Sequence, residues 1–172
     1  MHRIVLFLLA ISLGLAGCSP AFNWREVRPG PGELRALLPC KPDQGSRHLS
    51  LAGQDVELEM LGCETGGALF ALSHVDMGAE NRVEVAQVQW QAAMLGNMQA
   101  GAPSIAGFAV KGSGQTFKPV RITAQGRRPD GGAVSAQGVW FARGAHLYHA
   151  VIYADKIRPE VTEAFFSGLE FQ

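Results

Sequence analysis

The histidines are the side chains in this sequence that could most readily do chemistry, because imidazole is the usual base and metal ligand near neutral pH. His146 and His149 lie three residues apart in a segment that alternates like a strand. An odd spacing on a strand directs two side chains to opposite faces, so we expect no shared metal site. His149 has the same phase as Leu147 and Val151, which favours a hydrogen-bonded core or interface histidine.

His74 and Asp76 are the second pair to consider, as an uncommon catalytic site beside a glycine-rich loop at 102–114. His48 and His74 are otherwise isolated beside predicted turns. Because the sequence carries no recognisable catalytic arrangement, an enzyme with a site near His74 and Asp76 is the alternative hypothesis and not the leading one.

The familiar sequence motifs of catalysis and phosphate binding are absent. Gly112-Ser113-Gly114 lacks the preceding buried strand that a G-x-S-x-G nucleophile needs, so a flexible turn is the favoured interpretation. No glycine cluster opens a helix as a phosphate-binding loop does. Glu57 and Glu59 share one strand face, and two solvent-exposed side chains are favoured there over a catalytic pair. We predict no catalytic residue, no metal site and no cofactor.

Four arginines fall in the hairpins of the second half of the chain: Arg121, Arg127, Arg128 and Arg143. If they converge on one sheet face or edge, their guanidinium groups could bind lipid phosphates or an acidic partner. The favoured alternative is that they protect exposed strand edges from pairing with other chains.

The first 18 residues resemble the export signal of bacterial lipoproteins. Arg3 precedes an uncharged apolar run at 4–13, as in the n-region and h-region of a secretory signal. As a helix, this run is too short for the roughly 30 Å hydrocarbon core of a bilayer. Leu15-Ala16-Gly17-Cys18 then resembles a lipobox, whose cysteine thiolate accepts the diacylglyceryl group. An ordinary cleavable signal with a chance cysteine is the alternative.

The lipobox resemblance implies three parts of the chain. Residues 1–17 would be a cleaved signal peptide, residues 18–23 a short lipidated link, and residues 24–172 a single domain close to the membrane. Two or more acyl chains hold a protein stably on a bilayer, so Cys18 would be a permanent anchor. Ser19 follows the cysteine, and by analogy with enteric bacteria this favours the outer membrane, with the domain facing the periplasm.

Composition limits the partners of this domain. Without residues 1–17 the chain has 14 Lys and Arg, since only Arg3 is lost, against 15 Asp and Glu. A nearly neutral domain gives no electrostatic reason to bind nucleic acid. With Cys18 lipidated, Cys40 and Cys63 remain as an even number in an oxidising compartment, which favours a disulfide. Two separately buried thiols are the alternative.

Hydrophobic periodicity locates the elements that must position these residues. Strands are predicted at 47–51, 56–60, 68–73, 120–125, 138–141, 147–153 and 169–171. A long helix is predicted from Asn81 to Gly101 and a short one from Pro159 to Gly168, with a loop at 102–114. The long helix has a second apolar stripe, which predicts that it is covered on more than one side or laid across a sheet. The stripe consists of Val85, Val88, Ala92 and Leu95.

The predicted order of elements is typical of an α+β fold with an antiparallel sheet, one long helix and a short C-terminal helix. Together with Trp24, Leu37-Leu38-Pro39 and Phe165-Phe166-Ser167-Gly168-Leu169, it resembles the PsbP-like α/β/α sandwich of many small bacterial lipoproteins. Members of that family are mostly accessory proteins without a common active site. The resemblance implies a non-catalytic binding module that uses a sheet face, or the groove between sheet and long helix, to bind an envelope protein or a small apolar ligand.

Overall fold

The computed structural model describes residues 22–31 and 33–172. The predicted signal peptide 1–17, the lipidated Cys18 and the link as far as residue 21 lie outside the described residues. The last two residues of the predicted link, Phe22 and Asn23, are packed against the rest of the chain. Phe22 borders a hydrophobic core, and the Asn23 amide donates to the Pro39 carbonyl oxygen at 2.7 Å.

The described residues form ten strands and two helices. The strands are β1 (Arg25–Val27), β2 (Leu34–Leu38), β3 (Asp43–Leu51), β4 (Gln54–Thr65), β5 (Ala68–Asp76), β6 (Ser104–Gly107), β7 (Val120–Arg127), β8 (Ala133–Arg143), β9 (His146–Ala154) and β10 (Glu170–Phe171). The helices are α1 (Val83–Asn97), which follows a 3₁₀ turn, and α2 (Pro159–Ser167). The predicted α+β class is confirmed, and most of the regular structure is strand.

Two antiparallel sheets organise the chain. The large sheet has seven strands in the order β3-β4-β5-β9-β8-β7-β6, and the small sheet has three in the order β1-β2-β10. Strands β5 and β9 lie inside the large sheet, and both faces of β9 are buried over most of its length. This burial explains their nearly continuous apolar sequences, because a strand covered on both sides needs no polar alternation.

Each face of the large sheet has its own hydrophobic core. On one face Phe70, Phe141 and Ile152 pack with the small sheet and α2. On the other face Val75, Trp140 and Leu147 pack with residues of α1. The alternation of side chains along each strand produces this division, since successive residues point to opposite faces.

Helix α1 crosses the second face from the β3–β4 turn to the far end of β7. Just before its beginning, the Arg82 guanidinium donates to the Gln54 side-chain oxygen. Midway along it, the Gln89 side-chain oxygen accepts a hydrogen bond from the Ala52 amide at 2.7 Å. At its end, the Arg127 amide donates to the Met98 carbonyl oxygen at 2.7 Å. A Cβ atom at Gly126 would lie 2.3 Å from that same oxygen, so only glycine allows the helix to approach β7 this closely.

One detail of the predicted elements is wrong, and one open choice is decided by the structure. The segment 102–114 is not loop throughout, because Ser104–Gly107 forms the edge strand β6 against β7. Of the two options for α1, the helix lies across a sheet and is not covered on a second side by any described residue. Its second apolar stripe is exposed at Val85 (54%) and Val88 (60%), whereas Leu95 of the same stripe packs against the second core.

The predicted disulfide between Cys40 and Cys63 is present, with the two Cα atoms 5.9 Å apart. Cys40 follows β2 in the small sheet and Cys63 lies in β4 of the large sheet. The bond therefore connects the two sheets across the first core.

None of the helices in the described part of the chain has the length and apolar character needed to cross a membrane.

Candidate functional site

A groove lies between α1 and the large sheet, with a volume of about 1110 Å³. It forms because the helix is too small to cover its face of the sheet. The 15 residues of α1 span about 22 Å, whereas seven strands span about 29 Å in width. The diagonal course of α1 leaves parts of β3, β4, β5, β9 and β8 uncovered on one side.

Apolar side chains supply most of the groove's surface. The helix contributes Trp90, Ala93 and Met94, Met98 follows at its C-terminal end, and the sheet contributes Leu49, Leu51, Leu58, Met60, Leu69, Ala71, Val134 and Val151. Small residues such as Ala71 and Ser73 on β5 leave depth between the strands and the helix. Volumes of about 300–1,000 Å³ with apolar linings are usual for small-molecule sites, so the groove has room for a large apolar ligand.

His149 lies in the floor of this groove and is 4% exposed. Its ring stacks on Trp140 with centroids 3.9 Å apart, and the edge of Trp90 meets it at 5.4 Å. Gly138 leaves the space for the ring, because a Cβ atom there would lie 2.7 Å from Nε2. Burial lowers the pKa of His149 to about 3, so the floor of the groove is uncharged at neutral pH.

Charged residues are confined to the groove's rim: Arg47, Glu64, Arg127 and Arg128. Arg128 forms an ion pair with Asp155 at 2.6 Å, and Arg127 donates to the Gly131 carbonyl oxygen at 3.2 Å. Arg47 has no ion pair with any described residue and is exposed on the edge strand β3.

A second cluster of polar residues lies on the opposite face of the sheet, around His74. The His74 Nδ1 donates to the Glu59 carboxylate at 3.0 Å, and its Nε2 is 3.0 Å from Nδ1 of His146. With His74 neutral, this network requires His146 Nδ1 to be the donor. Burial lowers the pKa of His74, and the Glu59 carboxylate opposes that change. His74 is therefore not isolated, contrary to the sequence-based interpretation.

The geometry gives little support to catalysis by His74 and Asp76. Asp76 shares a face of β5 with His74, but its carboxylate accepts the Gly78 amide at 2.7 Å instead of the imidazole. Gly30 covers the His74 ring so closely that a Cβ atom there would lie 2.8 Å from it. The lining of the groove does not include His74, Glu59 or His146. Among the described residues, no group of three or more His, Cys, Asp or Glu side chains could hold a metal ion.

The four arginines considered from the sequence do not converge. Arg127 and Arg128 lie at the groove rim, whereas Arg121 and Arg143 lie on the other side of the molecule. Arg121 stacks over Phe108 at 4.4 Å, and Arg143 donates to the C-terminal residue. His146 and His149 lie on opposite faces of β9, as their spacing predicts.

Arg47 is the rim residue that the sequence-based reasoning missed. Its position in the strand could have identified it, because Arg47 lies two residues before Leu49 and four before Leu51. Residues at this spacing share one face of β3. That face becomes recognisable as a groove wall only when the course of α1 is known.

Comparison with known proteins adds little about function. No protein-family model matches the chain, and no curated protein matches it. Among solved structures, it is similar to PA94, a protein of unknown function from Pseudomonas aeruginosa, with 14% identity and a TM-score of 0.37. The similarity covers 63% of this chain and 82% of PA94. At this identity and TM-score it supports no conclusion about the fold or the function of this chain.

Proposed function

We propose that this chain is a membrane-anchored envelope lipoprotein whose domain binds a small apolar ligand in the groove between α1 and the large sheet. The observation that carries the proposal is the groove itself, with about 1110 Å³ of volume, an apolar lining and charges only at its rim. Exposing the apolar lining of such a groove to water costs free energy, and large exposed apolar patches usually mark binding sites. The role is one of binding and not of catalysis.

The finer fold assignment is part of the same proposal. A PsbP-like sandwich is supported by the two helices, which lie on opposite faces of one antiparallel sheet. An envelope protein as the occupant of the groove, and an envelope enzyme near His74 and Asp76, are the competing hypotheses. The enzyme has the weaker support because His74 is covered by Gly30 and Asp76 bonds the backbone.

The lipid anchor at Cys18 and the position at the outer membrane complete the proposal. Their support is the lipobox Leu15-Ala16-Gly17-Cys18 after an apolar run, and Ser19 after the cysteine. We expect mass spectrometry of the mature protein to find acylated Cys18 as its first residue. A mature N-terminus elsewhere, or an unmodified Cys18, would contradict the anchor without bearing on the groove.

Ligand binding is testable with a photoreactive probe, a clickable diazirine derivative of an uncharged long-chain alcohol. The full chain in its own membrane vesicles is irradiated with the probe, and the labelled peptides are identified by mass spectrometry. We expect labels on α1 and on the groove strands β4, β5 and β9. The substitution Ala93→Trp should reduce labelling by about fivefold or more, which corresponds to about 1 kcal/mol, because the indole occupies space in the groove that the probe would otherwise use.

The adjacent alanine provides a matched control. Ala92 and Ala93 are both exposed, but only Ala93 is part of the groove lining. Ala92→Trp should therefore label like the unsubstituted protein. Equal labelling of the two variants, or labels outside the groove, would rule out the proposed site.

A further inference from the structure

The charges around the groove limit the kind of apolar ligand it can hold, and this inference rests on the proposed function. We propose that the ligand is a long-chain amphiphile with an anionic head group, a carboxylate or a phosphate, and that Arg47 binds this head group.

The groove separates an apolar interior from a charged rim, which is the pattern that an amphiphile requires. Its floor is formed by aromatic and aliphatic side chains. Two titratable groups line it, His149 and the half-buried Tyr153, and both are neutral at physiological pH because burial lowers the pKa of the imidazole and raises the pKa of the phenol. A chain lying on this floor must bring any charged head group to the rim, because an unpaired charge in the interior would lose its hydration.

Arg47 is the rim cation that is free to bind such a head group. It is exposed and has no ion pair with a described residue, whereas Arg128 is paired with Asp155. Arg127 also has no ion pair within the described part of the chain, but its guanidinium donates a hydrogen bond to the Gly131 carbonyl oxygen of its own turn. The remaining charge of the lining is Glu64, one carboxylate against three guanidinium groups.

The surroundings of Arg47 on the sheet contain no carboxylate that could neutralise it. Leu58 is directly opposite in register, and the diagonal neighbours on the same face are Val56 and Met60. Glu57 and Glu59 point to the other face of β4, where Glu59 binds His74. An unpaired guanidinium beside an apolar groove provides both the donors and the charge for a carboxylate or phosphate.

A competition experiment with ligands of one chain length isolates the head group. The full chain is labelled in phosphatidylcholine vesicles with the uncharged probe, and dodecanoate, dodecyl phosphate and dodecanol are added as competitors. We expect the preferred anion to reach half-displacement at about one tenth of the dodecanol concentration, since a charged hydrogen bond is worth about a factor of ten. Comparing dodecanoate with dodecyl phosphate identifies the head group.

Arg47→Gln tests the residue, and Arg25→Gln on the exposed surface of β1 is the control. Arg47→Gln should raise the half-displacement concentration of the anion about tenfold and leave that of dodecanol unchanged, while Arg25→Gln should change neither. If Arg47→Gln has no effect, or dodecanol competes as well as both anions, Arg47 only protects the strand edge and the inference is wrong. If no competitor displaces the probe from the unsubstituted protein, or if the probe does not label it, the proposed function is overturned instead.

Discussion

His149 shows how one residue sets the character of the groove. A hydrogen-bonded core or interface histidine was expected in phase with Leu147 and Val151. The ring is buried against Trp140, but its Nε2 has no hydrogen-bond partner among the described residues. What the sequence could not provide is the partner of the imidazole, because Trp90 on α1 and Gly138 on β8 meet it only through tertiary packing. The same packing keeps the ring neutral, so the groove can accept an alkyl chain.

Burial of His149 predicts a loss of stability in acid. Its pKa is about 3 in the folded chain and about 6.5 when unfolded, so the unfolded state binds more protons as the pH falls below 6.5. Between pH 7 and pH 4.5 this group should lower the free energy of unfolding by about 2–3 kcal/mol. The variant His149→Phe keeps an aromatic ring but does not titrate. Measured by urea unfolding, its free energy of unfolding should fall between pH 7 and pH 4.5 by this amount less than that of the unsubstituted protein.

His74 acts in the same direction, because burial also lowers its pKa, but it is present in both proteins and cancels in the comparison. His48→Gln is the control, since His48 has an exposed side chain on β3 and its loss should leave the pH dependence unchanged. A parallel decline in the unsubstituted protein and in His149→Phe would show that His149 does not titrate as burial requires.

Among the elements, those with a strong local pattern were predicted well. Strand alternation located the central strands, and Pro159 with Gly168 marked the bounds of α2, which ends at Ser167. Strand β6 was missed because all four of its residues are exposed, so no buried face leaves a pattern in the sequence. For α1 the sequence left two options open, cover on more than one side or a position across a sheet, because periodicity detects an apolar face but not what lies against it.

The disulfide between the sheets predicts a measurable contribution to stability. Cys40 and Cys63 are 23 residues apart. Closing a loop of this length lowers the conformational entropy of the unfolded chain and so stabilises the folded protein by about 3 kcal/mol. Replacing both with alanine should lower the free energy of urea unfolding by about this amount. Under reducing conditions the difference between the two proteins should largely disappear. Two freely reactive thiols in the unreduced protein would contradict the bond.

At the scale of the whole molecule, the groove results from the relation between a short helix and a wide sheet. The sequence predicted both elements, and it predicted binding at the groove between them as one of two options. It could not predict the groove's outline, because the course of α1 depends on Gly126, which is far from the helix in sequence and allows its end to contact β7. The position of Arg47 at the rim depends on that same course.

Native mass spectrometry of the full chain, purified from its own envelope, tests the central claim most directly. We expect a bound apolar compound at one per chain in the unsubstituted protein and in Ala92→Trp, and its loss in Ala93→Trp, because only the second substitution places an indole in the groove lining. If the unsubstituted protein carries no such compound, or if both variants retain it equally, the groove is not a ligand site.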